Sequence, residues 1–199
     1  MRIQTHGNIL LLEGTLDTPE NKRFWALHGP RAIALVKAAR GAHAPLRSDA
    51  ASTAMEMDAF MYSSSAKGIL RQAVTGAGTT FKSLAEELRN KYRSFDEGVG
   101  HCYLGGFYTV APWPLGDKRR GLEEMEAAFA YGPRSRRNGY YACLLRHMHD
   151  DHAGAVKACE HALSTGRCDG PTTPDYCAFV TDQTKRVLGL AKKKLAKSK

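Results

Sequence analysis

Apolar positions along this chain recur at the three- and four-residue spacing of helices that bury one face, and no useful length alternates residue by residue as a half-buried strand would. Near the N-terminus, Ile9 to Leu16 reads as a first helix, ended by a turn at Asp17, Thr18 and Pro19. Glu20 to Ala42 follows, with Trp25, Leu27, Ile33, Leu35, Val36 and Ala39 supplying apolar surface. Gly29 and Pro30 interrupt it, because proline removes an amide donor and crowds the preceding turn. The pattern predicts a kink there, or two helices, Asn21–His28 and Arg31–Arg40. After a loop from Gly41 to Pro45, Ser48 or Asp49 can cap a helix running from Ala50 to Val74, lined by Met55, Phe60, Met61, Ile69, Leu70 and Val74. Ser63, Ser64, Ser65 and Gly68 are poor helix formers and mark close packing or a short break. Thr79 or Thr80 is placed to cap Phe81–Tyr92, whose buried stripe is Leu84, Ala85 and Leu88.

The most ordered pattern lies between Cys102 and Leu163. Gly121, Leu122, Met125, Ala128 and Phe129 answer to Ala155, Val156, Cys159, Ala162 and Leu163 under a shift of 34 residues. Self-similarity at that period is the signature of tetratricopeptide-type helical hairpins, in which small residues sit where two backbones meet and larger apolar ones fill the gaps. Leu104, Gly105 and Tyr108 carry the leucine–glycine–aromatic spacing of the first helix of such a unit, and Pro112 to Pro114 lengthens its turn. A capped turn at Pro171 to Asp175 leads into a last helix, Tyr176 to Lys194, whose Val180, Val187, Leu188, Leu190 and Ala191 can close the end of the array. Residues 192–199 form a basic tail, of which Leu195 to Lys199, beyond the helix, is expected to fray.

Composition narrows the partners more than the chemistry. With 199 residues, 43% of them hydrophobic, the chain can form one substantial core or a small solenoid. Lys+Arg 29 against Asp+Glu 20 leaves a net charge of +9, which favours acidic partners, although much of the excess sits in the C-terminal lysines. No apolar run approaches the roughly 20 residues that span a bilayer, so a soluble chain is expected, with peripheral contact to a membrane surface left open. The five cysteines are odd in number and lack a close pair. Arg2 and the lack of an acid before Glu13 hint at an organellar targeting segment, but a small-residue cleavage site is missing, and the helical reading of this stretch is favoured. An organellar, for instance mitochondrial, or a cytoplasmic setting fits.

Leu104-Gly105-Gly106-Phe107-Tyr108, followed by Pro112-Trp113-Pro114-Leu115-Gly116-Asp117, resembles the signature of the T-component of tripartite (TRAP) substrate-binding transporters. Ile9 to Gly14 with Pro19-Glu20-Asn21 is similar to that family's opening helix and turn. Gly116-Asp117, Ala128 and the Pro133…Arg137-Asn138…Tyr141 entry to the next hairpin resemble repeat proteins of the regulator-of-microtubule-dynamics type. The resemblance implies a tetratricopeptide-like all-helical fold and a binding or accessory role.

Few residues suggest chemistry. Trp113 between two prolines is either presented on a rigid loop as a partner anchor or folded back into the core, and burial is the favoured expectation. His147, His149 and His152 with Asp150 and Asp151 resemble a metal cluster in composition, but on a helix only His149 and His152 share a face, so a surface turn is expected and no metal. Cys168 and Cys177 could close a disulfide loop, with free thiols favoured. Ser135-Arg136-Arg137-Asn138 at a helix start could grip a phosphate, with a serine cap and solvated arginines as the simpler reading.

These features predict a single all-α domain over residues 1–199, a tetratricopeptide-like helical-hairpin solenoid of roughly seven to nine helices with its clearest repeats at 97–164. Leu104, Gly105, Gly121, Ala128, Ala155 and Ala162 are the expected packing residues between hairpins, and Tyr108, Trp113, Arg136, Arg137 and Tyr140 the expected partner or ligand contacts. No catalytic residue, cofactor or specific nucleic-acid motif is indicated. A non-catalytic scaffold or accessory subunit of a larger assembly is the function expected, with a small-ligand-binding auxiliary protein like the transport T-component as the alternative.

Overall fold

The computed structural model describes residues 10–12, 14–15, 18–67, 76–165, 167–168 and 174–197. Among them the chain is helical, with nine α-helices and one short extended pairing. The helices are α1 (Pro19–Ala42), α2 (Ala44–Arg47), α3 (Ala50–Ser65), α4 (Ala77–Lys91), α5 (Val99–Val110), α6 (Lys118–Tyr131), α7 (Arg136–Met148), α8 (His152–Thr165) and α9 (Pro174–Lys197).

Short polar side chains start most of them by accepting amides that the first turn leaves free. Thr18 accepts from the Asn21 amide at 3.1 Å, with Pro19 in the first position where its missing N–H costs nothing. Asp49 receives Ser52 at 2.7 Å, Asp117 receives Arg120 at 3.0 Å, and Asp151 receives Gly154 at 2.9 Å. At α4 the cap is not a threonine. Gly76, at φ 70°, turns the chain one residue before Ala77, and Thr79 and Thr80 lie inside the first turn.

Three expectations change at the N-terminal half. Leu10–Leu11 pairs antiparallel with Gly14–Thr15 instead of forming a helix, which lets Leu11 reach the same apolar cluster as Met125 and Tyr140. Pro30 does not divide its segment. α1 runs through it with the ring exposed, while Gly29 on the other side meets α3 so closely that a Cβ there would lie 2.6 Å from that of Ser63. The serine run thus marks close packing. Pro45, expected in a loop, lies within the one-turn α2. Continuation of the third helix through Ile69, Leu70 and Val74, and the turn at Pro171, lie outside the described residues. At the other end α9 stays helical to Lys197, three residues beyond Lys194.

Apart from the one-turn α2, which α1 and α3 bridge by packing on each other, each helix packs chiefly on its chain neighbours, and α7 also touches α9. Among the described residues the apolar interior falls into three clusters: Trp25 with Tyr62 between α1 and α3; Met57, Ala85, Leu88, Leu104, Phe107 and Tyr108 between α3, α4 and α5; and a larger one joining α6, α7, α8 and α9, with Leu11 and Cys102. The hairpin α5–α6 is tight because its contacts are glycines. A Cβ at Gly105 would stand 2.6 Å from Met125, and one at Gly121 would stand 2.5 Å from the Thr109 hydroxyl.

Buried ions join neighbouring hairpins. Glu124 on α6 is 8% exposed and accepts from Arg89 at 2.6 Å, with the His101 ring nitrogen at 2.7 Å. Burial alone would push the Glu124 carboxyl up, but the hydrogen bonds and charges of His101 and Arg89 outweigh it and hold the group below its ordinary value.

Candidate partner-binding site

The loop from α5 to α6 is fixed before its tryptophan is placed. Leu115 and Gly116 donate backbone bonds to Pro112 at 3.0 and 3.1 Å, and Asp117 donates to Tyr108 at 2.9 Å. A side chain at Gly116 would strike the Ala111 carbonyl. Leu115 takes the apolar slot beneath the loop, against Phe107 and the backbone of Gly78. Trp113 is left outside, 90% exposed. The expected burial of this ring is therefore corrected: the leucine two residues on packs beneath the loop and the tryptophan does not.

The same loop runs straight into Lys118, Arg119 and Arg120, the first turn of α6, which contains no acidic residue. Three cations at a helix start oppose the helix dipole, which favours negative charge there. Arg119 is almost fully exposed and pairs with the exposed Glu123 at 3.3 Å. Arg120 lies over the Tyr108 ring at 4.3 Å, with the Lys82 ammonium at 5.9 Å from the same ring. Tyr108 itself is 3% exposed, and its hydroxyl is buried without a hydrogen-bond partner among the described residues. Tyr108, in the last turn of α5, thus lies inside under Arg120 and Lys82, while Trp113 on the following loop lies outside.

The arginines at the start of α7 lie elsewhere and do different work. Ser135 caps the helix, its hydroxyl 3.4 Å from the Asn138 amide. Arg137 points inward, with its guanidinium 2.7 Å from both the carboxylate and the carbonyl of Asp96. Asn138 adds bonds of 2.7 and 2.8 Å to the carbonyls of Glu97 and Ala128. Together they hold Asp96 and Glu97 at positive φ (43° and 54°), a conformation that ordinary side chains adopt only when held. Arg136 reaches Thr181 on α9 at 2.9 Å and borders a small pocket with Asp96, Arg167, Tyr176 and Cys177. Burial pushes the Tyr176 phenol up to about 12, so it stays neutral. Tyr140 is 1% exposed in the large apolar cluster.

The six expected packing residues, Leu104, Gly105, Gly121, Ala128, Ala155 and Ala162, are all buried. Cysteine pairing differs from the sequence expectation. Cys168 and Cys177 are joined by a disulfide where free thiols were expected, and a second bridge, Cys143–Cys159, staples α7 to α8 inside the core. Cys102 is the free, buried thiol, and burial pushes its pKa up. The histidine turn also differs: His147 and His152 meet across it, while the His149 ring nitrogen bonds the Lys118 carbonyl at 2.9 Å. Helical spacing could not show this, because the helix ends at Met148 and Asp150 reverses the chain at φ 61°. The basic run 118–120 is legible in the sequence as three cations set against a helix dipole.

No protein-family model matches the chain, and no curated protein matches it in sequence.

Proposed function

We propose that the chain is a non-catalytic array of tetratricopeptide-like hairpins, a scaffold or accessory subunit that docks an acidic segment of a partner protein within a larger assembly. The observation that carries the reading is the exposure of Trp113 on a loop whose backbone is fixed and which leads directly into Lys118, Arg119 and Arg120. An exposed rigid aromatic costs little entropy to immobilise and can anchor an interface, while the cations that follow it at the start of α6 select an acidic partner and speed its approach.

The repeat reading is supported by burial. The buried positions of α6 are Gly121, Glu124, Met125 and Ala128; those of α8 are Ala155, Ala158, Cys159 and Ala162, each 34 residues further on. Leu104 and Gly105 on α5 recur in the same way as buried Asn138 and Gly139 on α7. Such a pattern arises when two hairpins present the same face to equivalent neighbours. Two disulfides in one chain favour an oxidising compartment as the setting.

Size-exclusion of native extract tests this, comparing the parent with Trp113→Ala and with Lys118→Glu/Arg119→Glu. The parent is expected in a large complex at low salt and partly released at high salt, with both variants shifted toward the monomer. A parent that runs as a monomer at every salt concentration and carries a small apolar ligand in native mass spectrometry would overturn the scaffold and support the transport-like alternative.

A further inference from the structure

The turn between α7 and α8 brings together two histidines with an unmet need. His147 stands in the last turn of α7 and His152 opens α8. Their ring centres are 5.0 Å apart, tilted by 45°. In both rings Nδ1 is shielded from solvent and has no hydrogen-bond partner among the described residues. An imidazole nitrogen buried that way loses its water without compensation, and here two adjacent rings share the defect. The other nitrogen of His152, Nε2, faces the Asp150 carboxylate at 3.6 Å.

A divalent metal meets these conditions together. Two imidazoles bound to one tetrahedral ion at about 2.0–2.1 Å place their ring centres about 5 Å apart. A carboxylate on the outer nitrogen is the usual device that orients a ligating histidine and raises its basicity. We propose that His147 and His152 form a two-histidine site for a divalent transition metal of the copper, nickel or zinc type, bound through the two Nδ1 atoms, with the negative charge of Asp150 beside the outer nitrogen of His152. No group of three or more histidines, cysteines and carboxylates is gathered among the described residues, so the site offers two protein ligands. His149 takes no part, since its ring is engaged with Lys118. Lys194 on α9 lies near enough to act on His147 and opposes a cation, while Asp150 favours one. Asp151 is occupied in capping α8.

The test uses Cu2+ added at one equivalent to the full chain after chelator treatment, read by electron paramagnetic resonance. The expected spectrum shows coupling to two nitrogens in the parent and in His149→Gln, and loses it in both His147→Gln and His152→Gln. Asp150→Asn should weaken binding about tenfold or more. A two-nitrogen spectrum that survives both single substitutions would overturn the site. Should those variants fail to fold, paramagnetic broadening in the unmodified protein decides: broadening centred on His147 and His152 supports the site, and broadening spread over other histidines overturns it.

Discussion

Gly139 of α7 lies flush against Ala162 of α8, so that a Cβ at position 139 would stand 2.6 Å from the Ala162 methyl and 3.3 Å from its Cα. Neither contact is the end of a flexible side chain, so only a shift of the helices could make room. Gly139→Ala is expected to destabilise by about 1–3 kcal/mol through overpacking, despite the better helix propensity of alanine. Gly106→Ala is the control, since nothing lies within 4 Å of a Cβ there, and it should stabilise by up to about 1 kcal/mol. Denaturant melts of the two variants would refute the seam if both moved the midpoint in the same direction.

Acid should unfold the protein partly through Glu124. Its carboxyl is depressed in the folded chain, so the unfolded chain takes up the proton first as pH falls. The contribution of its pairs with Arg89 and His101 is complete at neutral pH. It begins to decline near the ordinary glutamate value of about 4.3 and is lost as pH passes down through the folded value. Glu124→Gln should cost on the order of 2 kcal/mol at pH 7, and its gap from the parent should close toward pH 3. Urea midpoints with a constant gap across that range would contradict the account.

The two tryptophans should be separable in one spectrum. Trp25 is fully buried beside Tyr62, at 5.3 Å between ring centres, whereas Trp113 is 90% exposed. Trp113→Phe is expected to remove the acrylamide-quenchable, red-shifted emission and leave a protected blue component. Stability should change by no more than about 0.5 kcal/mol, as for other exposed positions. A variant whose remaining emission is still freely quenched would show that Trp25 is not enclosed.

Peptide mapping without reductant should return Cys143–Cys159 and Cys168–Cys177 as linked pairs, with Cys102 alkylated only after unfolding. Opening the first, which spans 16 residues, should lower stability by about 3 kcal/mol on the loop-entropy view. Recovery of other pairings, or of alkylated Cys143 in the native protein, would exclude this arrangement.

What could be read from sequence follows the range of the interaction. Caps at Asp49 and Ser135 and the recurrence of Ala128 at Ala162 are local or periodic, so spacing makes them legible, whereas the run Ser63 to Ser65 reads equally as close packing or a break until Gly29 is set against Ser63. Trp113, Cys143 and His147 depend on what arrives from elsewhere. Leu115 packs beneath the loop, α8 brings Cys159 to Cys143, and a left-handed residue at Asp150 folds His152 back onto His147. Leu11 is similar, since a two-residue pairing is too short to leave a period in the sequence and gains its place from a distant core.

The separation of the interior into three apolar clusters has a consequence for how the molecule opens. Where helices lean mainly on their chain neighbours, free energy is held in segments, and amide hydrogens report each segment's own opening. The cluster of Trp25 and Tyr62 is the smallest and holds one hairpin, α1 with α3, while the bridge from Cys143 to Cys159 ties α7 to α8 within the largest. Deuterium should therefore enter α1 and α3 first, then α4 and α5, and last the stapled pair. An acidic partner seated at the start of α6 would slow exchange in α5 and α6 while leaving the first hairpin free to open at its own rate.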